Sequence, residues 1–263
     1  MKSYDFKYDG VNLSDKGFII CKFGSNGIET FSNGSHITFN TVSTLRGTKH
    51  ELISTEYGEC LSTNFQICKH PCKTSNTEVS VDEMRDIMRW LNRKGFYKFK
   101  LLNDEYTNIF FEATFNVSKI EFEGKLIGFE LEMITNRPYA IHEPIPITIN
   151  NTDNSIYKIY NQSDDEGYIY PEMEITIKKN GNFEMYNDFE NRTMRIANCT
   201  AGEVIKINYP IIESSVASHK IQNDFNWHFF RIASSFKKSV NNIQISIPCI
   251  IKMKYSPVIK VGI

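Results

Sequence analysis

Apolar and polar residues alternate with a period of two along most of this chain, and this pattern predicts a protein built mainly of β-strands. The alternation is cleanest in residues 61–67, which are predicted to form a half-buried strand. Residues 4–8 alternate in the same way ahead of a turn at residues 9–10. We expect residues 17–21 to return beside them as a hairpin.

One stretch of helical periodicity predicts a helix over residues 80–94. Ser80 and Glu83 can form a capping box, in which each side chain accepts a hydrogen bond from the other residue's backbone amide. The apolar residues form one stripe: Val81, Met84, Ile87, Met88 and Leu91. Trp90 lies off the centre of this stripe, and Gly95 is expected to end the helix in the left-handed conformation. Because isolated helices of about 12–15 residues are marginal in water, the helix is expected to pack on a sheet.

The segments around the helix predict further antiparallel strands and one exposed region. Short turns separate four predicted strands, at residues 96–102, 109–115, 119–122 and 126–134. Residues 24–48 are too polar for a core, and they are predicted to be an exposed loop or an extended arm.

A change of pattern at residues 136–140, followed by Pro144 and Pro146, predicts a domain boundary. The predicted domains are residues 1–139, with the helix, and residues 140–263, where no helix signal occurs. Eight short strands separated by turns predict a β-sandwich in the second domain: residues 145–149, 156–160, 173–177, 183–186, 193–196, 204–207, 243–247 and 250–255.

The length and net charge of the chain bear on its number of domains and on the classes of partner that it can bind. A chain of 263 residues is near the size, roughly 250–300 residues, at which a single core stops growing, so two domains are expected. The net charge of −1 argues against binding to nucleic acid or insertion into an anionic membrane. The N-terminal residues carry no secretory signal, so folding in a reducing cytoplasm and free thiols at the six cysteines are expected.

Two clusters of side chains come nearest to a metal site. Cys60, Cys68, His70 and Cys72 come nearest to a zinc cluster, but their spacing fits zinc poorly and no second close pair follows. The acidic segment 163–167 has no glycine at the sixth loop position and no closing glutamate, both of which a calcium-binding EF-hand needs. The motifs HExxH, GxSxG, GxGxxG and GxxxxGK[ST] are absent from the sequence. We therefore predict no catalytic residues, no cofactor, no metal and no disulfide.

The most aromatic stretch of the second half is residues 226–230, which contains Trp227 and Phe229. An exposed Trp227 could stack on a sugar ring and form a glycan contact. Because large aromatic side chains are more often buried, the favoured prediction is that both residues pack inside the sandwich.

Several segments, in order, resemble the distal tail proteins of long-tailed phages. They are residues 57–68, Met88-Arg89-Trp90-Leu91-Asn92-Arg93, and residues 96–99, 110–117, 127–131, 191–196 and 199–205. The ending, residues 255–263, is similar to the versions of these proteins from phages and prophages of clostridia. The resemblance runs nearly end to end. One departure is that residues 239–242 lack the glycine that relatives often carry in a late turn.

The resemblance implies a structural hub of the virion tail tip, assembled in the cytoplasm of the bacterial host. Six copies would form a homohexameric ring through the N-terminal domain, between the tail tube protein and the tail-tip spike protein. The C-terminal domain would be a galectin-like β-sandwich that points outward and could hold receptor-binding proteins. The alternative is a carbohydrate-binding, lectin-like protein that acts through this sandwich, and an enzyme is the weakest hypothesis.

Overall fold

The computed structural model describes residues 3–23, 36–44, 47, 49–57, 60–73, 76–103, 107–152 and 155–261, and the chain divides into two compact units. The first unit comprises Met1–Ile141 and Lys260–Ile263, and the second comprises His142–Ile259. The second unit is therefore inserted into the first along the chain. The predicted mainly β fold is confirmed.

The first unit contains ten strands and one longer helix among its described residues. The strands are β1 (Phe6–Tyr8), β2 (Val11–Asn12), β3 (Phe18–Cys21), β4 (Ile37–Ser43), β5 (His50–Tyr57), β6 (Ser62–Lys69), β7 (Tyr97–Leu101), β8 (Ile109–Phe122), β9 (Lys125–Thr135) and β10 (Ala140–His142). A short 3-10 turn, Leu13–Lys16, joins β2 to β3, and the helix α1 is Val81–Leu91.

The main sheet of the first unit has the order β2-β1-β7-β8-β9-β6-β3, with β10 beside β8. The prediction that residues 17–21 return beside residues 4–8 as a hairpin is wrong, because β3 pairs with β6. Residues 17–21 nevertheless come close to residues 4–8 at one point, because the Ile20 amide donates a hydrogen bond to the Tyr4 carbonyl over 3.0 Å. Together with the pairing of β1 to β2 and β7, this bond occupies much of the backbone of residues 4–8.

Helix α1 has the predicted cap but a different end and a different buried side. The Glu83 amide donates to the Ser80 hydroxyl (3.3 Å), and the Ser80 amide donates to the Glu83 carboxylate (2.8 Å). The helix ends at Leu91 with Asn92 as its cap, so the expected stop at Gly95 is wrong. Its buried residues are Ile87, Trp90 and Leu91, whereas the stripe residues Val81 and Met88 are exposed.

Trp90 explains why the buried side of α1 is rotated from the predicted stripe. Its ring stacks on Phe6 with centroids 5.7 Å apart, and its indole nitrogen donates to the Tyr8 carbonyl over 3.2 Å. Burying this large ring against β1 stabilises the packing of the helix on the sheet.

Strand β8 is longer than the sequence suggested. Residues 109–115 and 119–122 were predicted as separate strands, but they belong to one 14-residue strand. It pairs with β9 along most of its length, and a shift of register at Ile120/Glu121 absorbs the irregularity.

The second unit is a β-sandwich. Its strands are β11 (Ile145–Asn151), β12 (Ile156–Tyr160), β13 (Gly167–Ile169), β14 (Glu172–Ile177), β15 (Gly181–Asn187), β16 (Arg192–Cys199), β17 (Val204–Asn208), β18 (Ile211–Ser214), β19 (Ile232–Ser234), β20 (Val240–Ile245), β21 (Cys249–Tyr255) and β22 (Val258–Ile259). One sheet has the order β11-β21-β14-β17-β18, another β12-β20-β15-β16, and β13 pairs with β19.

The inner faces of the two larger sheets form a core of isoleucine, methionine and phenylalanine side chains. Five elements of this unit were not predicted: the strands β13, β18, β19 and β22 and the short helix α2 (Ile221–Asp224), which corrects the expectation of no helix here. Residues 240–242, which lack a glycine, lie in β20.

Candidate assembly and binding surfaces

Strand β4 lies in the predicted polar arm, strand β5 follows that arm, and the two pair as a two-stranded ribbon. Within the described residues these two strands pair only with each other, and nearly all of their residues are exposed. Residues 24–35, 45, 46 and 48 of the predicted arm lie outside the described residues. The ribbon is thus an exposed hairpin, in agreement with the arm interpretation.

The two faces of the ribbon differ in chemistry. Cross-strand partners share a face, and the partners Ile37 and Tyr57, Phe39 and Thr55, and Thr41 and Leu52 build an apolar face. The opposite face carries the partners Thr38 and Glu56, Asn40 and Ser54, and Val42 and Glu51. On this second face the Asn40 amide donates to the Ser54 hydroxyl over 3.0 Å.

The apolar face of the ribbon is open to solvent. Phe39 is 62% exposed and Leu52 is 58% exposed. The register skips Ile53, which is a bulge residue and adds a further exposed aliphatic side chain. Because a two-stranded hairpin is marginally stable in water, a partner that covers this face would stabilise it.

Trp227 lies on the surface of the second unit, not in its core. It is 54% exposed, so the prediction that it packs inside the sandwich is wrong, whereas Phe229 is buried as predicted. The backbone of Trp227 has φ +57°, a left-handed conformation that is unusual for a bulky residue.

The Asn226 side chain holds this conformation. Its oxygen accepts from the amides of Arg195 and His228, both over 3.1 Å, and its nitrogen donates to the Thr193 carbonyl over 3.0 Å. The sequence alone could not reveal this because Thr193 and Arg195 lie more than thirty residues earlier in the chain.

Trp227 begins a series of ring contacts that we call the aromatic strip: Trp227, Phe229, Tyr209, Tyr170 and Tyr168. The centroids of successive rings are 6.2, 5.2, 4.0 and 5.5 Å apart. Trp227, Tyr209 and Tyr168 are each more than half exposed, and the Arg231 guanidinium lies 3.9 Å from the centre of the Tyr168 ring.

Buried amides fix the far end of the aromatic strip. Asn241 is fully buried; its oxygen accepts from the Ala233 amide (2.9 Å), and its nitrogen donates to the Ala233 carbonyl (2.9 Å). Asn187 donates to the Asn241 oxygen (2.8 Å) and to the Arg231 carbonyl (3.0 Å). Because Ala233 pairs with Tyr168 across β13 and β19, this polar network positions the strip.

A second buried polar cluster surrounds Glu203. Its carboxylate accepts hydrogen bonds from the Ser214 hydroxyl (2.6 Å) and the Thr200 amide (3.0 Å), and it pairs with the His219 Nδ1 atom (2.6 Å). Burial raises the pKa of Glu203, but these hydrogen bonds outweigh burial and hold the pKa below its ordinary value. The Ser214 hydroxyl is directed at this carboxylate, an arrangement that stabilises the fold and differs from that of an activated nucleophile.

The candidate metal ligands take other roles. Cys60 and Cys72 are exposed, whereas Cys68 is half-buried beside Cys21, whose pKa is raised by burial and by the neighbouring thiol. In the acidic segment, Glu166 accepts from the Phe236 amide. Within the described part of the chain, no three His, Cys, Asp or Glu side chains converge to hold a metal ion. Among the same residues, no helix has both the length and the apolar character needed to cross a membrane.

A shallow cleft of about 590 Å³ lies on the outer face of the five-stranded sheet of the second unit. Lysine and glutamate alternate across its strands, as in the partners Lys252 and Glu174 and the partners Glu174 and Lys206. Exposed ion pairs of this kind contribute little to stability, and the cleft has the character of a solvated sheet face.

Comparisons with known proteins give matches that cover nearly the whole chain. A family model described as a phage tail protein N-terminal domain matches residues 1–137, and one described as a phage tail C-terminal domain matches residues 139–255. Among solved structures, the chain is similar to the SPP1 Dit (gp 19.1) protein, described as a paradigm of the hub adsorption apparatus in phages that infect Gram-positive bacteria. That match has 9% identity and a TM-score of 0.68, and it covers 97% of this chain and 99% of the other. No curated protein matches the chain.

Proposed function

The chain belongs to the family of phage tail proteins that these two models describe, and from this premise we propose that it is a distal tail hub protein. Six copies form a ring at the tip of the virion tail, between the tail tube protein and the tail-tip spike protein. The similarity in fold to SPP1 Dit supports the proposal. The observation that favours the proposal most is the ribbon β4–β5, because a partner that covers its exposed apolar face would stabilise it.

The ribbon suits a contact between copies better than residues 4–8 do. The backbone of residues 4–8 is largely occupied within its own sheet, so these residues offer little free strand edge. Both outer edges of the ribbon, by contrast, lack a strand neighbour among the described residues. An edge of this kind can pair with a strand of another copy and satisfy its free backbone groups.

The position of the ribbon favours a head-to-tail contact. Its base is tied to the first unit, where the rings of Tyr57 and Tyr139 meet with centroids 5.5 Å apart. A ribbon that leaves one copy and covers a different surface of the next makes a heterologous interface, and such an interface closes into a ring when the rotation is suitable. We therefore place the ring contact in the first unit.

The test measures the mass of the full-length protein over a range of concentrations, with and without the tail tube protein, followed by negative-stain microscopy. We expect closed rings of six copies in the concentrated sample or on the tube protein. A chain that stays monomeric in both samples, or a closed dimer built through the second unit, would contradict the proposal.

Two matched variants locate the contact. Phe39→Ser combined with Leu52→Ser makes the apolar face of the ribbon polar, and we expect it to abolish assembly. Val42→Ser changes a similarly exposed residue on the opposite face and is expected to leave assembly intact. Equal assembly by both variants would exclude the apolar face of the ribbon as the ring contact.

A further inference from the structure

We propose that the aromatic strip binds a neutral polysaccharide, with Trp227 as its principal stacking surface. This inference goes beyond the proposed ring and does not depend on it, since every residue involved lies in the second unit. Three observations carry it: the exposure of the rings, the rigid presentation of Trp227, and the chemistry of the side chains around them.

The exposure of the strip distinguishes it from core packing. Trp227, Tyr209 and Tyr168 each leave about half of their surface open to solvent, while Phe229 lies buried beneath them. The contacts between rings run in series from Trp227 to Tyr168, so the three exposed rings belong to one connected set. Several exposed rings in one set offer stacking positions for more than one sugar unit of a polymer.

The presentation of Trp227 is rigid. A left-handed backbone costs energy at a bulky residue and persists only where the surroundings impose it. Here the three hydrogen bonds of the Asn226 side chain impose it and hold the ring out of the core. A stacking surface that is fixed before binding loses little conformational entropy when a ligand arrives.

The neighbouring charges favour a neutral ligand. Arg195 pairs with Glu184 (3.3 Å) beside Trp227, and Arg231 pairs with Glu190 (2.6 Å) at the Tyr168 end. Nucleic-acid strands also stack on aromatic side chains, but their sites add a positively charged groove. Paired charges instead offer donors and acceptors together, which are the groups that sugar hydroxyls require.

The exposed side chains of the strip also differ in chemistry from those on the apolar face of the ribbon. The exposed rings of the strip are tryptophan and tyrosine, which combine an apolar body with a polar tip. The apolar face of the ribbon, in contrast, exposes mainly aliphatic side chains and a phenylalanine, with one tyrosine, Tyr57. The faces of sugar rings combine C–H groups with hydroxyl edges, and they match the amphipathic rings of the strip.

The experiment uses the full-length protein and affinity electrophoresis in gels that contain dextran, xylan, hydroxyethyl cellulose or glycol chitin. Trp227→Asn removes the ring but keeps a residue that tolerates the left-handed conformation, so the fold is retained. Phe236→Ala is the matched control, because Phe236 is 94% exposed and has no ring contact with the strip.

We expect at least one of these polysaccharides to retard the unaltered chain and the Phe236→Ala variant equally. Trp227→Asn should weaken that binding about tenfold, because one aromatic contact is worth up to about 1.5 kcal/mol. Tyr168→Ala should weaken it as well. Failure of all four polysaccharides to retard the unaltered chain, or equal loss in Trp227→Asn and Phe236→Ala, would overturn the proposal. Normal retardation of Trp227→Asn together with lost capture of a tail protein would show that the strip is a protein-docking surface.

Discussion

The ribbon of the first unit and the aromatic strip of the second both expose large apolar side chains, but their support within the chain differs. The ribbon pairs only with itself among the described residues, and its two faces separate apolar from polar side chains. The strip lies directly on a packed core, and buried asparagines fix its backbone. The rest of the chain therefore gives the ribbon little support, whereas it orders the strip in advance.

Because of this difference, binding is coupled to folding differently at the two surfaces. A partner that covers the ribbon contributes both binding energy and folding energy, so assembly and ordering of the ribbon are coupled. A ligand on the strip contributes binding energy alone. The comparison can be tested by changing the support of each surface and measuring stability and binding separately.

The largest expected effect comes from the support of the strip. Asn241→Ala removes the side chain that pairs with both backbone groups of Ala233 and with Asn187. Because buried polar groups lose their partners, the second unit should lose about 3 kcal/mol of unfolding free energy, measured by urea denaturation. Unchanged stability would mean that the strip is not held by this network.

A smaller effect is expected from Glu203→Gln, which removes the buried carboxylate. The pKa of this group is held below its ordinary value, so its stabilisation is present above about pH 4.3 and is lost as the pH falls through the lowered pKa. We expect a loss of about 2 kcal/mol at pH 7 and a flatter acid limb of the stability curve. An acid limb identical to that of the unaltered chain would contradict this role.

Ser80→Ala tests the first unit without touching either surface. It removes one half of the capping box of α1 and should cost about 1 kcal/mol of unfolding free energy. Assembly and polysaccharide binding should both be unchanged. If the thermal midpoint does not move, the cap contributes less than its geometry indicates.

The smallest effect on stability is expected from the ribbon variant Phe39→Ser with Leu52→Ser. Both side chains are exposed, so the unassembled chain should change by less than about 0.5 kcal/mol. Only assembly should respond. A large loss of stability in the unassembled chain would show that the ribbon packs on its own unit, and the contrast with the strip would disappear.

Local patterns predicted the fold well where the determining contacts are also local. The capping box is an example, because Ser80 and Glu83 are three residues apart and satisfy each other. The alternation in residues 61–67 likewise predicted β6 and its buried side chains. The polarity of residues 24–48 predicted an exposed segment, although the pairing of β4 with β5 was not foreseen.

Contacts between distant residues account for what sequence reasoning missed. The buried side of α1 turns toward Trp90 because Phe6 and Tyr8, far earlier in the chain, receive its ring. Trp227 is exposed because Asn226 binds residues of β16. A signal was available in the asparagine beside this tryptophan, since asparagine is common where the backbone turns sharply.

The second unit is one continuous stretch of chain that could be exchanged as a block. The chain enters it at His142 and leaves it at Ile259, and the segments on either side both belong to the first unit. Val261 packs against the core of that first unit, and the Lys260 ammonium lies 5.6 Å from the centre of the Tyr139 ring. The segments that flank the two junctions are thus close to each other in space. A recombination event that exchanged everything between the junctions would replace the aromatic strip and leave the ribbon unchanged.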